Sequence, residues 1–202
     1  MNKQTFEAKT KEEAITKALE ELNTTEENLV IKVIEEKNTL LKKLVKIEVI
    51  KYNEITSYLK KIINTILKSM GIEANLEIKK REDKISVEIY SDNNSILIGK
   101  NGKNIQALQL ILRQILNNQV GKQMNLTVDV ENYREKRDKN LEFLAKKVAR
   151  EVSKTKVETK LDSMNSYERR IIHSALSNNK YVYTESTGEE PNRCVVIKPK
   201  EA

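Results

Sequence analysis

The most informative part of this sequence is Ile98-Gly99-Lys100-Asn101-Gly102-Lys103. Glycine at both ends of a short bend removes the Cβ atoms that would hold another backbone away, so a sugar–phosphate chain can lie against it. A helix that begins near Lys103 would point free N–H groups and its positive dipole end at the same place, which favours a phosphate. The alternative is a tight turn between two helices that needs glycine for its geometry alone.

The sequence around this loop predicts a complete small domain. An apolar stripe from Ile55 to Met70 indicates a helix that ends at Gly71. Two strands, a short helix, the loop, a long helix and a last strand follow. The predicted strands are 74–79, 85–90 and 125–130, and the short helix is 93–98. The loop is 99–102, and the long helix carries apolar residues from Ile105 to Leu116. We expect Ile96, Ile98 and Ile105 to form the wall of a groove for unstacked bases.

This order resembles the type II KH domain (α-β-β-α-α-β), in which a GXXG loop clamps about four backbone nucleotides. The resemblance favours the binding interpretation over the plain turn. It implies that the clamp consists of Gly99, Lys100, Asn101 and Gly102, with Ile98 and Lys103 beside it.

The first fifty residues predict a strand, a helix and two strands. Thr10 and Glu13 have the spacing of a capping box, and the strands are expected at 29–34 and 44–50. Residues 1–51 carry 10 lysines and 10 acidic residues, whereas 52–130 have a net charge of +3 and 131–202 of +4. The excess of positive charge in the second and third parts suggests a polyanionic partner. The neutral first part is expected to dock a protein.

The last seventy residues predict two helices and a small sheet. From Asn132 a long helix is expected to direct its apolar residues inward; these are Leu141, Leu144, Ala145, Val148 and Val152. A strand at 157–161, a second helix from Asn165 to about Leu176, and a hairpin of 181–185 with 194–198 follow. Arg169 and His173 lie four residues apart, on one helix face beside the buried arc. We expect both to reach solvent, where they could hold a phosphate; the alternative is an ordinary solvated face.

The stretch from Asn165 to Leu176 resembles the R-three-H domain, which binds single-stranded polynucleotides and is named for an Arg and a His in this spacing. The resemblance continues from Tyr183 to Arg193. It implies that Arg169 and His173 bind nucleic acid, together with Arg170 and Arg193.

A KH domain and an R-three-H domain behind a small N-terminal module resemble the Jag family over nearly the whole chain. The resemblance implies a cytoplasmic RNA-binding regulator of cell elongation, division or sporulation. It implies as partners single-stranded RNA or DNA, a small single-KH-domain companion, the membrane insertase and a second copy of the chain. The family's Lys-Lys-Gly-Phe-Leu-Gly stretch and its usual linker are absent; residues 38–43 stand where that stretch would be, and Cys194 stands where relatives often have an arginine.

The composition excludes much chemistry. One cysteine and one histidine are too few for a thiolate and imidazole metal site, and no nucleophile motif or Walker loop is present, so we expect no catalytic residues, metal or cofactor. No apolar run reaches the length of a membrane span, and the N-terminus lacks the apolar stretch of a signal peptide. The sequence predicts an α+β protein with modules at 1–51, 52–130 and 131–202. Its function is RNA binding or, alternatively, a protein-interaction scaffold at the membrane-protein insertion or cell-envelope machinery.

Overall fold

The computed structural model describes residues 1–38, 43–81 and 84–200. The chain forms two compact units, Met1–Glu131 and Asn132–Ala202. The described residues of the first unit form helices and two three-stranded sheets, and those of the second unit form helices and one three-stranded sheet, which confirms the α+β class. The predicted boundary between residues 51 and 52 lies inside the first unit and stays a prediction. Part of the 38–43 stretch and the centre of the predicted 81–84 turn lie outside the described residues.

The first sheet contains the predicted strand, helix and two strands. The elements are β1 Gln4–Ala8, α1 Lys11–Leu22, β2 Leu29–Asn38 and β3 Lys43–Lys51, in the antiparallel order β1-β3-β2. Helix α1 begins where expected because the Thr10 hydroxyl accepts a hydrogen bond from the Glu13 amide at 3.2 Å. The buried Ala14 and Ala18 of α1 belong to one core with Phe6, Ile47 and Val49 of the sheet.

The second sheet has the element order of a type II KH domain. The elements are α2 Tyr52–Ser69, β4 Asn75–Arg81, β5 Lys84–Tyr90, α3 Asn94–Ile98, α4 Lys103–Val120 and β6 Asn125–Val130. Strand β5 is central, antiparallel to β4 and parallel to β6. A parallel pair needs a crossover, and α3 and α4 supply it. The crossover places the glycine loop between these two helices.

The burial of residues along α4 contradicts one expectation about the groove. Ile105 is buried beside Leu112 and Leu116, so it belongs to the core and does not line a groove. Ile111 lies outside the buried stripe of α4 and is exposed. The reason is the helical period: Ile105, Leu112 and Leu116 fall on one stripe, and Ile111 lies about 100° from Leu112.

The second unit packs two helices on the third sheet. The elements are α5 Tyr133–Thr155, β7 Thr159–Ser163, α6 Ser166–Leu176, β8 Val182–Thr187 and β9 Cys194–Pro199, with the antiparallel sheet order β7-β9-β8. Leu141, Ala145 and Val152 of α5 pack in one core with Ile172 of α6 and Ile197 of β9. Leu144 was expected in this core but is exposed, because it lies at the margin of the apolar stripe of α5.

Candidate nucleic-acid interface

The glycine loop is a tight bend built from left-handed backbone conformations. Gly99 has φ +68° and ψ −178°, Asn101 has φ +54°, and Gly102 has φ +75°. The Gly99 amide donates to the Ser95 carbonyl at 2.9 Å, and the Gly102 amide donates to the Gly99 carbonyl at 3.3 Å. The conformation of Gly99 is essentially restricted to glycine, and asparagine is one of the few other residues that tolerate the conformation of Asn101. The local sequence therefore specifies this bend.

Asn104 braces the loop, and the sequence did not indicate this role. Its side-chain amide donates to the Ile96 carbonyl at 2.8 Å and so joins the first turn of α4 to α3. A Cβ atom built on Gly99 would lie 2.5 Å from the Asn104 Cγ atom. Gly99 is thus required both for its backbone conformation and for the space that Asn104 occupies.

The loop offers positive charge at its open side. Lys100 and Lys103 are exposed, and Gly102, which is buried, occupies the N-cap position of α4 without a side chain to cap it. The positive end of the α4 dipole therefore lies at the loop. Ile96 is 49% exposed and Ile98 is partly buried, so two of the three expected groove residues are near solvent.

Arg169 does not have the solvent-facing position that the helix spacing predicted. It is only 8% exposed, and its guanidinium donates to the Met164 carbonyl and to a Glu190 carboxylate oxygen, both at 2.8 Å. The expectation was wrong because a single-helix projection cannot show that the β8–β9 loop, which contains Glu190, covers this side of α6. In the folded chain Arg169 joins that loop to α6.

His173 is also held by the hairpin. Its Nδ1 atom lies 2.6 Å from the Thr184 hydroxyl and its Nε2 atom 2.8 Å from the Ser186 hydroxyl, both on β8. Burial lowers the pKa of His173, and the positive charge of Arg169 lowers it further. Both effects favour the neutral imidazole, which donates to one hydroxyl and accepts from the other.

Arg170 and Arg193 are the exposed cations of this region. The Arg170 guanidinium lies 5.7 Å from the ring centre of Tyr167, whose hydroxyl donates to Asp138 at 2.8 Å. The backbone carbonyl of Arg193 accepts from the Met164 amide at 3.1 Å, which fixes the chain while the side chain extends into solvent. Arg170 and Arg193 are therefore the two predicted arginines that can reach a ligand without rearrangement.

Three further observations concern metal-ligating side chains, the cysteine and the apolarity of the helices. No group of three or more His, Cys, Asp or Glu side chains there is arranged to hold a metal ion. Cys194 is a buried free thiol. Among residues 1–38, 43–81 and 84–200, no helix has the length and apolarity needed to cross a membrane.

A type II KH fold with an intact glycine loop, followed by an Arg-x-x-x-His helix on a small sheet, defines a protein of the KH and R-three-H class. Comparison with protein families agrees with this class: residues 6–51 match the Jag N-terminus, 56–130 the KH domain of KhpA/KhpB, and 139–199 the R-three-H domain.

Similar proteins from several bacteria carry the name RNA-binding protein KhpB. The protein from Clostridium symbiosum is 37% identical over 99% of this chain and 93% of its own length. The Bacillus subtilis protein is 37% identical over 70% of this chain and 69% of its own length, and the Lactiplantibacillus plantarum protein is 36% identical over 65% and 41%. The chain belongs to the KhpB family, which is the Jag family that its sequence resembles.

Proposed function

We propose that this protein binds single-stranded RNA through the loop between α3 and α4. The observation that carries the proposal is the left-handed bend at Gly99–Gly102, which leaves Lys100 and Lys103 exposed at the N-terminus of α4. Such a bend lets a sugar–phosphate backbone approach closely, and the helix dipole and the lysines favour its charge. The relatives' name, RNA-binding protein, supports RNA as the polymer.

The second unit adds a further contact in this proposal. Arg170 and Arg193 bind phosphates, whereas Arg169 and His173 join the β8–β9 hairpin, which carries Arg193, to α6, which carries Arg170. The support is that Arg169 is buried in an ion pair with Glu190 and that both nitrogens of His173 face hydroxyls of β8. Few aromatic residues are present, so base contacts are mainly aliphatic and polar.

The proposal is tested by fluorescence anisotropy with the full chain and a labelled single-stranded RNA. Lys100→Asp combined with Asn101→Asp should remove most of the binding by repelling phosphate. The matched control is Gln119→Asp with Lys122→Asp, which changes the net charge equally at exposed positions near the other end of α4. If the loop variant and the control bind with the same affinity, the glycine loop is not the RNA site.

Family membership supports a proposal for the cellular role. We infer a cytoplasmic regulator of cell elongation, division or sporulation, with a small single-KH-domain companion protein, a second copy of the chain and the membrane insertase as partners. The solvent face of α4 supports contact with another KH domain, since Leu110 and Ile111 are 58% and 52% exposed there. Leu110→Lys with Ile111→Lys should reduce self-association or companion binding in sedimentation experiments while RNA binding is retained.

The alternative role, a protein-interaction scaffold at the membrane-protein insertion or cell-envelope machinery, is favoured by the balanced charge of residues 1–51. Under this alternative the N-terminal module docks a protein. A charge-neutral surface lacks the excess positive charge expected of a polyanion site. Capture of an envelope protein by the full chain, lost when residues 1–51 are removed and kept in the loop variant, would favour the scaffold role.

A further inference from the structure

Helix α5 has a solvent face that none of the contacts described above uses. Its buried residues, Leu141, Ala145, Val148 and Val152, point toward the core of the second unit. At about 100° per residue, Phe143 lies on the opposite side of the helix from their centre. Phe143 is 71% exposed, although burial of an aromatic side chain is strongly favourable.

The face around Phe143 is strongly basic. Six cationic side chains of α5 lie within about 60° of Phe143 at helical spacing. They are Lys136, Lys139, Lys146, Lys147, Arg150 and Lys154, all exposed. The carboxylates of α5 fall outside this arc. We refer to these six residues with Phe143 as the α5 basic face.

Two of the six cations are engaged by carboxylates at the margin of the face. Lys139 pairs with Glu135 at 2.6 Å, and Lys146 pairs with Glu142 at 3.8 Å. No ion pair of the described residues involves the other four, Lys136, Lys147, Arg150 and Lys154. These four span about 27 Å along the helix, at 1.5 Å per residue, with Phe143 between them. The α5 basic face is therefore a stripe of positive charge with one aromatic ring in its middle.

We propose that the α5 basic face is an additional single-stranded RNA site, in which Lys147, Arg150 and their neighbours contact phosphates and a base stacks on Phe143. This inference rests on the proposed RNA binding of the chain and adds a surface that shares no residue with the glycine loop or with the Arg169–His173 region. A positively charged track combined with an aromatic platform is how single strands are bound without sequence preference. The exposed ring offers a stacking surface for a base beside the positive charge.

The electrostatic part is tested with Lys147→Glu and Arg150→Glu in the full chain. On a 20-nucleotide RNA we expect about tenfold weaker binding and a salt slope smaller by about 1.4, since each lost phosphate contact removes about 0.7. The matched control is Lys60→Glu with Lys61→Glu, which changes the net charge equally on the exposed side of α2.

The stacking part is tested with Phe143→Trp, because the chain contains no tryptophan. RNA should quench the fluorescence of this single indole, with the same midpoint as the anisotropy titration. Met70→Trp, at an exposed position of the first unit, controls for absorption by the RNA. Phe143→Ala should weaken binding about tenfold, as expected for loss of one stacked base.

The outcomes separate this inference from the RNA-binding proposal. If the unaltered chain binds no RNA, both fall. If it binds RNA but the α5 charge variants behave like the α2 control and the indole of Phe143→Trp is not quenched, the α5 site is wrong while the loop site stands. If the α5 variants lose only binding to vesicles of anionic phospholipid, the face contacts membranes and the inference is overturned.

Discussion

At the scale of single residues, the neighbours Arg169 and Arg170 have opposite surroundings. Arg169 is buried and donates to Met164 and Glu190, whereas Arg170 is exposed beside Tyr167. A buried donor that loses its partner, or a carbonyl that loses its donor, costs the desolvation of that group. Residues for which a domain family is named can therefore maintain the shape of a site in which other side chains contact the ligand.

Arg169→Ala should lower the free energy of unfolding by about 1–3 kcal/mol, because the Met164 carbonyl and the Glu190 carboxylate lose a shared donor. Arg170→Ala should change it by less than about 0.5 kcal/mol and weaken RNA binding instead. Urea unfolding followed by circular dichroism measures the first effect and anisotropy the second. Equal stability of the two variants would contradict the internal role of Arg169.

His173 gives a pH dependence whose sign follows from its surroundings. Burial and the Arg169 charge lower its pKa from the ordinary value of 6.5, so the folded chain takes up this proton less readily than the unfolded chain. The associated stability is fully present above pH 6.5 and is lost as the pH falls through the lower pKa of the folded state. As the only histidine, it should show one imidazole NMR titration with a midpoint below 6.5, and near 6.5 in urea. A folded midpoint at or above 6.5 would refute this.

At the scale of elements, the bend between α3 and α4 constrains Gly99 in two different ways. Its conformation is one that side chains rarely adopt, and a Cβ atom would meet Asn104. Gly71 also has a positive φ, of +70°, but a Cβ there would meet nothing within 4 Å. A comparison of the two positions therefore distinguishes the cost of backbone strain from the cost of steric overlap.

Gly99→Ala should destabilise the chain by about 2–3 kcal/mol and abolish loop-dependent RNA binding, whereas Gly71→Ala should cost about 1 kcal/mol and leave binding unchanged. Adding Asn104→Ala to Gly99→Ala should recover only part of the stability, because the backbone strain remains. Urea midpoints and anisotropy of the same samples measure both effects. Full recovery in the double variant would show that the strain is negligible.

The elements were largely predictable because their signals are local. Thr10 caps α1, Gly71 follows α2, and Asn165 and Glu168 form a capping box at α6, so the ends of the helices could be read within a few residues. The pairing of Arg169 with Glu190 could not be predicted, because it joins residues 21 positions apart and depends on the path of the β8–β9 loop. The burial of Ile105 and the exposure of Leu144 follow instead from their positions relative to the apolar stripes of α4 and α5.

At the scale of the whole molecule, the positive charge is concentrated in the parts of the chain that contain the proposed RNA contacts. Residues 1–51 are neutral, 52–130 carry +3 and 131–202 carry +4. The KH fold ends with β6 at Val130, and α5 begins at Tyr133, so two residues connect them. In the proposed binding mode, an RNA strand bound by one module is thereby held at a high effective concentration near the other module.

RNA length should therefore determine affinity. A single KH loop holds about four nucleotides, so an RNA of about 6 nucleotides engages one site, whereas one of about 20 can engage both modules. We expect the longer RNA to bind about 100-fold more tightly, which is the lower end of the gain from linking two sites. Lys100→Asp with Asn101→Asp should abolish most of this gain, because it leaves RNA contacts in the second unit alone. Arg170→Ala with Arg193→Ala should reduce the gain less, because the α5 basic face of the second unit remains. Calorimetry should give one long RNA per chain. Equal affinity for both lengths would mean that the modules bind independently, and the charge of the second unit would then need another explanation.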